Sequence, residues 1–258
     1  MPDATPEPFV ELIVLGAGPA YTDRPGATGA AYLVRSGRTA VVLDLGQGSF
    51  PRLAAEIEPS RLDGVVVSHL HPDHFIDLVP LRHYLRFEFE PPRRVRVLGP
   101  AGLADRIDAL HAMAGFTAAT LDVEALGDGA TVTIGALAIE SRRVTHTADS
   151  FGFRVTSTDG GPGLVYSGDC GRADDLSPLL RPGDTLLAEV SFGPGPVAEG
   201  ALHLDGPSVG GLAVSTGVGR VLLTHLQMGF DEAATIASVR RRFDGPLTLV
   251  EPGTRLTI

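Results

Sequence analysis

Lysine is absent from this 258-residue chain: its 21 basic residues are all arginines, set against 31 acids for a net charge of −10. A surface so biased argues against long, non-specific contact with nucleic acid, where affinity comes from neutralised phosphates. The missing lysine reads as coding bias and carries no mechanism. Cysteine occurs once, at Cys170, so no intrachain disulfide can form and a disulfide-stapled secreted fold is excluded. No apolar run approaches the 18 or so residues of a membrane span, which removes the membrane from the expected partners. Met1 to Glu11 holds three prolines and three acids in place of the positive-then-apolar layout of a signal peptide. These absences lead to the expectation of a soluble, cytoplasmic protein. A chain this long can bury roughly 75% of its unfolded surface in one domain, here residues 1–258.

Short runs of Val, Leu and Ile alternate with amphipathic stretches, and glycine or proline punctuates most joins. The pattern predicts strands at Phe9–Leu15, Ala30–Arg35, Thr39–Asp44, Gly64–Ser68, Arg94–Leu98, Ala130–Ile134, Leu137–Val144, Ser150–Ser157, Gly163–Ser167, Asp184–Glu189, Arg220–Thr224 and Pro246–Leu249. It predicts helices at Ser49–Glu58, His74–Arg86, Ala101–Ala114, Arg172–Leu180, Asp205–Thr216 and Glu232–Phe243. Strands and helices are spread over both halves, which suggests sheets inside and helices outside. The tracts Gly160-Gly161-Pro162-Gly163 and Gly193-Pro194-Gly195-Pro196 read as turns, the second with a possible role as a rim loop. Gly16-Ala17-Gly18 is a turn and no dinucleotide motif, since Tyr21 occupies the place of the third glycine.

The chemistry concentrates in Ser68-His69-Leu70-His71-Pro72-Asp73-His74, directly after an apolar strand. Imidazole nitrogens and a carboxylate are the ligands Zn²⁺ and similar ions prefer, and burying four of them without a cation would cost several kcal/mol. His69 and His71 can grip one ion while Asp73 and His74 turn towards a second, so two metals fit better than one. His146, Asp169 and His225 each follow a predicted strand and complete a two-metal set. Taken singly, each reads more simply as a strand-end residue bonded to backbone.

With Val14-Leu15-Gly16-Ala17-Gly18-Pro19, Val42-Leu43-Asp44-Leu45-Gly46, Val144-Thr145-His146, Tyr166-Ser167-Gly168-Asp169 and Leu223-Thr224-His225 added, the chain resembles the metallo-β-lactamase superfamily over nearly its whole length. The resemblance implies an α/β fold, the αββα sandwich of two mixed β-sheets flanked by helices, with metals at one edge of the sheets. It implies one divalent metal on His69, His71 and His146, a second on Asp73, His74 and His225, and Asp169 bridging them. Zn²⁺ is the first expectation, with Mn²⁺ or Fe²⁺ as alternatives, because such sites take metal by supply and geometry. Within the superfamily the chain is similar to the branch of ribonuclease Z and cyclic nucleotide phosphodiesterases, from Ala188-Glu189-Val190-Ser191-Phe192 followed by Leu202-His203-Leu204. There a glutamate orients a histidine beside the metals, which implies that role for Glu189 and His203. Cys170 departs from the branch, which usually has threonine after the aspartate, and reads as space-filling.

Two cations about 3.5–4 Å apart can hold a bridging hydroxide at neutral pH and neutralise charge on a phosphoryl group. The expected catalytic residues are therefore Asp73 at the metals and His203, polarised by Glu189, as proton donor to the departing sugar oxygen. Most of the ribonuclease Z family that the chain resembles grips a folded transfer RNA with a long flexible Gly- and basic-rich arm between the histidine and aspartate that match His146 and Asp169. Only 22 residues lie there, with Arg154 the sole cation. The short connection disfavours a large nucleic acid as partner, and a small 3′,5′-cyclic nucleotide resembling cyclic AMP is the expected substrate. The alternatives are a carbonyl substrate (lactone, thioester or β-lactam), ribonuclease Z-like RNA processing, and a non-catalytic metal-binding accessory protein. Phe75, Tyr84, Phe87, Phe89 and Phe192 are candidates for base stacking but read more simply as packing. Arg82, Arg86, Arg93 and Arg94 form a local basic run that is a candidate for holding phosphate but reads more simply as a solvated or interface face. A homodimer is the default assembly.

Overall fold

Strands such as Ala31–Ser36 and Thr39–Leu43 are apolar on both faces, which a sheet tolerates only when both sides are covered. The computed structural model describes residues 10–258, so Phe9 and residues 1–9 of the N-terminal stretch lie outside the described residues. Among the described residues two sheets of seven strands form. The first holds β1 (Glu11–Gly16), β2 (Ala31–Ser36), β3 (Thr39–Leu43), β4 (Gly64–Val66), β5 (Val95–Gly99) and β6 (Leu121–Ala125). The second holds β7 (Thr131–Ile134), β8 (Leu137–Arg143), β9 (Phe151–Ser157), β10 (Leu164–Tyr166), β11 (Thr185–Glu189), β12 (Arg220–Thr224) and β13 (Leu247–Leu249). The last strand, β14 (Arg255–Thr257), crosses back to pair with β1.

Alternate side chains divide the core into layers. Leu12, Val14, Val41 and Leu43 of the first sheet meet Ile139, Phe153, Leu187 and Leu222 of the second. The outward set, including Ile13, Val42 and Val65, packs under α1 (Phe50–Glu56), α2 (Pro72–Phe75), α3 (Leu78–Phe87) and α4 (Leu103–His111). Leu186, Ala188 and Val221 pack under α5 (Gly206–Thr216) and α6 (Glu232–Arg240). The layers are αββα, the metallo-β-lactamase arrangement. No helix among the described residues is long and apolar enough to cross a membrane.

Both sheets contain a parallel block, β3 to β6 and β10 to β13. Parallel strands put their carboxyl ends at one edge, where loops can converge. Two buried hydroxyl contacts tie the sheets together near that edge: Tyr32 Oη lies 2.6 Å from Thr224 Oγ1, and Tyr166 Oη donates to Asp44 Oδ2 at 2.7 Å.

Three features differ from the sequence expectation. The predicted helix His74–Arg86 is two pieces, because Leu45 N–H donates to the His74 carbonyl and Asp77 N–H to the Leu45 carbonyl, pinning the joint to the end of β3. The predicted helix Arg172–Leu180 is only a 3₁₀ turn at Ala173–Leu176. Pro178 lacks the amide that would extend it, and the Asp175 side chain accepts from the Thr145 amide instead. Strands β6 and β14 were not expected; both are edge strands whose exposed residues blur the apolar signal.

Arg154 closes on Asp184 with two hydrogen bonds of 2.8 and 2.9 Å. The buried Asp184 carboxylate also accepts from the amides of Gly163 and Arg181. Asp184→Ala is therefore expected to cost about 3–5 kcal/mol of unfolding free energy by stranding a guanidinium and two amides. Urea denaturation would measure it, and a loss under 1 kcal/mol would contradict the assignment.

Candidate metal centre

Each residue singled out as a ligand sits just beyond a strand end at the shared edge. His69 follows β4, Asp73 and His74 lie in α2, His146 follows β8, Asp169 follows β10 and His225 follows β12. Gly46 makes the first approach possible, since a Cβ there would stand 1.9 Å from the Asp73 carbonyl oxygen. The 22 residues between His146 and Asp169 are taken up by β9, β10 and their joins.

His69 Nε2 lies 3.0 Å and His146 Nε2 3.1 Å from His71 Nδ1, so three ring nitrogens face one point. Opposite them, His74 Nε2 stands 3.6 Å and His225 Nε2 3.3 Å from Asp73 Oδ2. Asp169 lies between the two groups. Its Oδ2 is 3.8 Å from His69 Nε2 and 3.7 Å from His146 Nε2, while its Oδ1 is 3.4 Å from His74 Nε2 and 3.6 Å from His225 Nε2. His74 Nε2 and Asp169 Oδ1 are buried without a hydrogen-bond partner. Crowded lone pairs and unpartnered buried atoms are costly unless a cation satisfies them. The donor set therefore fits two divalent ions, with His69, His71, His146 and Asp169 around one place and Asp73, His74 and His225 around the other.

Burial disfavours charge on Asp169, yet the His225, His74 and His69 rings hold its carboxyl well below the usual range. Burial lowers His69, with His74 adding to the effect. It works against protonated His74 too, but the Asp169 and Asp44 carboxylates outweigh it and push that ring well above its ordinary value.

The far nitrogen of most rings is held by a group that sequence reading gave no role. Asp44 Oδ2 accepts from His74 Nδ1 and from Ser68 Oγ, each at 2.7 Å, and Asp44 Oδ1 accepts from the Ser68 amide at 2.6 Å. Ser68 Oγ lies 3.1 Å from His69 Nδ1, Ser191 Oγ lies 3.0 Å from His225 Nδ1, and His146 Nδ1 donates to the Leu202 carbonyl at 2.8 Å. Such partners fix tautomer and ring orientation. Asp44→Ala would strand the Tyr166, Ser68 and His74 donors in a dry interior. It is expected to lower unfolding free energy by about 2–4 kcal/mol, with Asp44→Asn losing less. Equal stability of the two variants by chemical denaturation would refute this.

Glu189 is fully buried, not a solvated strand end. Its Oε1 accepts from the Cys170 amide and from His203 Nδ1, both at 3.0 Å, and Oε2 accepts from the Ser191 amide at 2.9 Å. His203 Nδ1 is 3.8 Å from Asp169 Oδ2, and its Nε2 has no hydrogen bond to the described residues. Burial lowers this ring, but the bond to Glu189 outweighs it and raises it above the ordinary value. Cys170 is buried, and its thiol donates to the Arg172 carbonyl at 3.1 Å. Of the five aromatic candidates Phe192 lies beside this group, edge-on to His203 at 5.6 Å, whereas Phe75 is core. The Arg82 to Arg94 run does not converge: Arg82 is buried under Phe116, and Arg94 pairs with Asp122. The Gly193–Pro196 tract is tied down, with the Gly206 amide donating to the Gly193 carbonyl.

A family model described as beta-lactamase superfamily domain matches residues 41–226. An uncharacterised protein of Mycobacterium tuberculosis is 34% identical over 247 residues, 93% of this chain and 89% of that protein. A probable metallo-hydrolase of Bacillus subtilis, YhfI, is 26% identical over 219 residues, 84% of this chain and 87% of its own. The YhfI crystal structure superposes with a TM-score of 0.86 at 22% identity, covering 97% of this chain and 100% of that one. Human tRNase Z, short form, superposes with a TM-score of 0.74 at 21% identity, covering 95% and 98%.

Proposed function

The chain belongs to the beta-lactamase superfamily, and from that membership we propose that it is a dinuclear metal-dependent phosphodiesterase acting on 3′,5′-cyclic nucleotides of the cyclic AMP type. The observation that carries the reading is the pairing of a two-sided Asp169 with a histidine, His203, that a buried glutamate holds through Nδ1 and that also lies within ligand range of Asp169 and His225. Two divalent ions held by His69, His71, His146, Asp73, His74 and His225 with Asp169 between them would supply Lewis acidity towards a phosphoryl group and a water acidic near neutral pH.

The chain's own groups do the rest. Glu189 accepts the Nδ1 proton of His203 and fixes the ring, which leaves Nε2 to carry a proton to the departing sugar oxygen. Asp44, Ser68, Ser191 and the Leu202 carbonyl orient the rings around the site, so the donors are set before substrate arrives. The compact β9–β10 connection offers no long arm for a folded RNA, which favours a small substrate.

The test is hydrolysis of cyclic AMP beside bis(p-nitrophenyl) phosphate and a lactone, with protein of known metal content and Asp73→Ala as control. Metal-dependent turnover of cyclic AMP, lost in the variant, is expected. Lactone turnover alone would overturn the substrate class.

A further inference from the structure

His203 belongs to two places at once. One side faces Asp169; the other lines a cleft of about 600 Å³ that runs over the first turns of α5, with Arg172, Asp174, Ser208, Gly211 and Arg242 in its walls. That volume suits a nucleotide-sized occupant. Arg172 lies three residues beyond Asp169, and Arg242 follows α6.

Both guanidinium groups are exposed and, like those of Arg38, Arg61, Arg86, Arg93, Arg106 and Arg241, make no side-chain hydrogen bond or ion pair among the described residues; what sets these two apart is that they share one cleft with His203. In a chain with ten more acids than bases, Arg94, Arg96, Arg143, Arg154, Arg181 and Arg255 each pair with a carboxylate. One carboxylate, Asp174, shares the walls with Arg172 and Arg242. The cleft floor is cut to fit: α5 carries Gly210-Gly211 in its interior at a helix-propensity cost of about 1 kcal/mol each. A Cβ at Gly210 would meet the Val239 carbonyl at 2.9 Å, so that glycine serves α6 packing. A Cβ at Gly211 would meet nothing nearer than Arg242 Nη1 at 4.0 Å, so that glycine keeps open the floor beneath the guanidinium.

We infer that this cleft is a second phosphate subsite on the leaving-group side, so that beside a 3′,5′-cyclic mononucleotide the site takes a dinucleotide, cyclic or linear, whose departing nucleoside carries a 5′-phosphate. This rests on the phosphodiesterase reading. Water oxygen joins phosphorus, the bond from phosphorus to the 3′ oxygen breaks, and that oxygen takes the His203 proton, which the attacking water restores. The 5′-phosphate of the departing nucleoside meanwhile sits between Arg172 and Arg242, where planar forks match its oxygens.

The test compares the dinucleotide ApA with its 5′-phosphorylated form pApA on the metal-loaded enzyme. The wild type is expected to favour pApA at least about tenfold in kcat/KM, mainly through KM, and an Arg172→Ala/Arg242→Ala double variant to bring the ratio near one. Gly211→Leu, which keeps both arginines and strengthens the helix, should lose the preference by filling the floor. A second readout needs no activity: 5′-AMP titrated calorimetrically into chelator-stripped protein should bind at least about tenfold more weakly to the double variant. Equal use of ApA and pApA, or a preference that survives the double variant, overturns the subsite. Absence of all diester turnover with the calorimetric difference intact would remove the phosphodiesterase reading and leave the anion-binding cleft standing.

Discussion

Asp169→Ala is expected to cut metal content from two ions per chain to one or none and to lower kcat/KM by about 10³-fold or more. This carboxylate alone faces both imidazole groups, one oxygen to each. Its removal takes a donor from both places and, with it, the negative charge that offsets two cations. The change also leaves five histidines around an uncompensated cavity, so loss of metal is expected to outrun loss of fold. Elemental analysis beside circular dichroism separates the two. Two tightly held ions in a folded variant with full turnover would refute the bridging role.

His203→Ala is expected to lower turnover of a diester with a sugar leaving group by about 10²–10⁴-fold, the usual worth of a placed proton donor. The same variant should lose less than about tenfold on bis(p-nitrophenyl) phosphate, whose leaving group departs without a proton. The contrast follows from geometry: Nδ1 is engaged by Glu189, and Nε2 is the nitrogen left for transfer. Glu189→Gln should reproduce the pattern more weakly, because an amide can still accept at that position but cannot stabilise the charged ring. Equal losses on both substrates would make His203 a structural or metal-supporting residue instead. Unchanged metal content in both variants is the control that keeps the readings apart.

Fold and site were not equally legible. Strands such as β3, β11 and β12 are buried on both faces, so they appear in sequence as short unbroken apolar runs. Strand β6, with Asp122 and Glu124 facing outward, and the terminal β14 carry no such signal. The turn at Ala173–Leu176 looks helical until Pro178 is weighed against its neighbours. The histidine and aspartate positions were visible because metal chemistry uses few residue types at short spacing. The groups that orient them were not: Asp44 is 30 residues from His74, Ser191 is 34 from His225, and the Leu202 carbonyl that holds His146 has no side-chain identity to read. Arg154 was legible as a cation but not as a brace, since Asp184 reaches it across a strand pairing.

Asp44 and His225 both adopt left-handed backbone, at φ 56° and 59°, where residues other than glycine pay about 1–3 kcal/mol. Laboratory evolution under heat alone, with no demand for turnover, should therefore accept glycine at position 225 early. It should resist the same exchange at position 44, where the carboxylate holds three side chains together. Drift at these two positions would thus record, from sequences alone, whether a lineage had been kept for its chemistry or only for its folded shape.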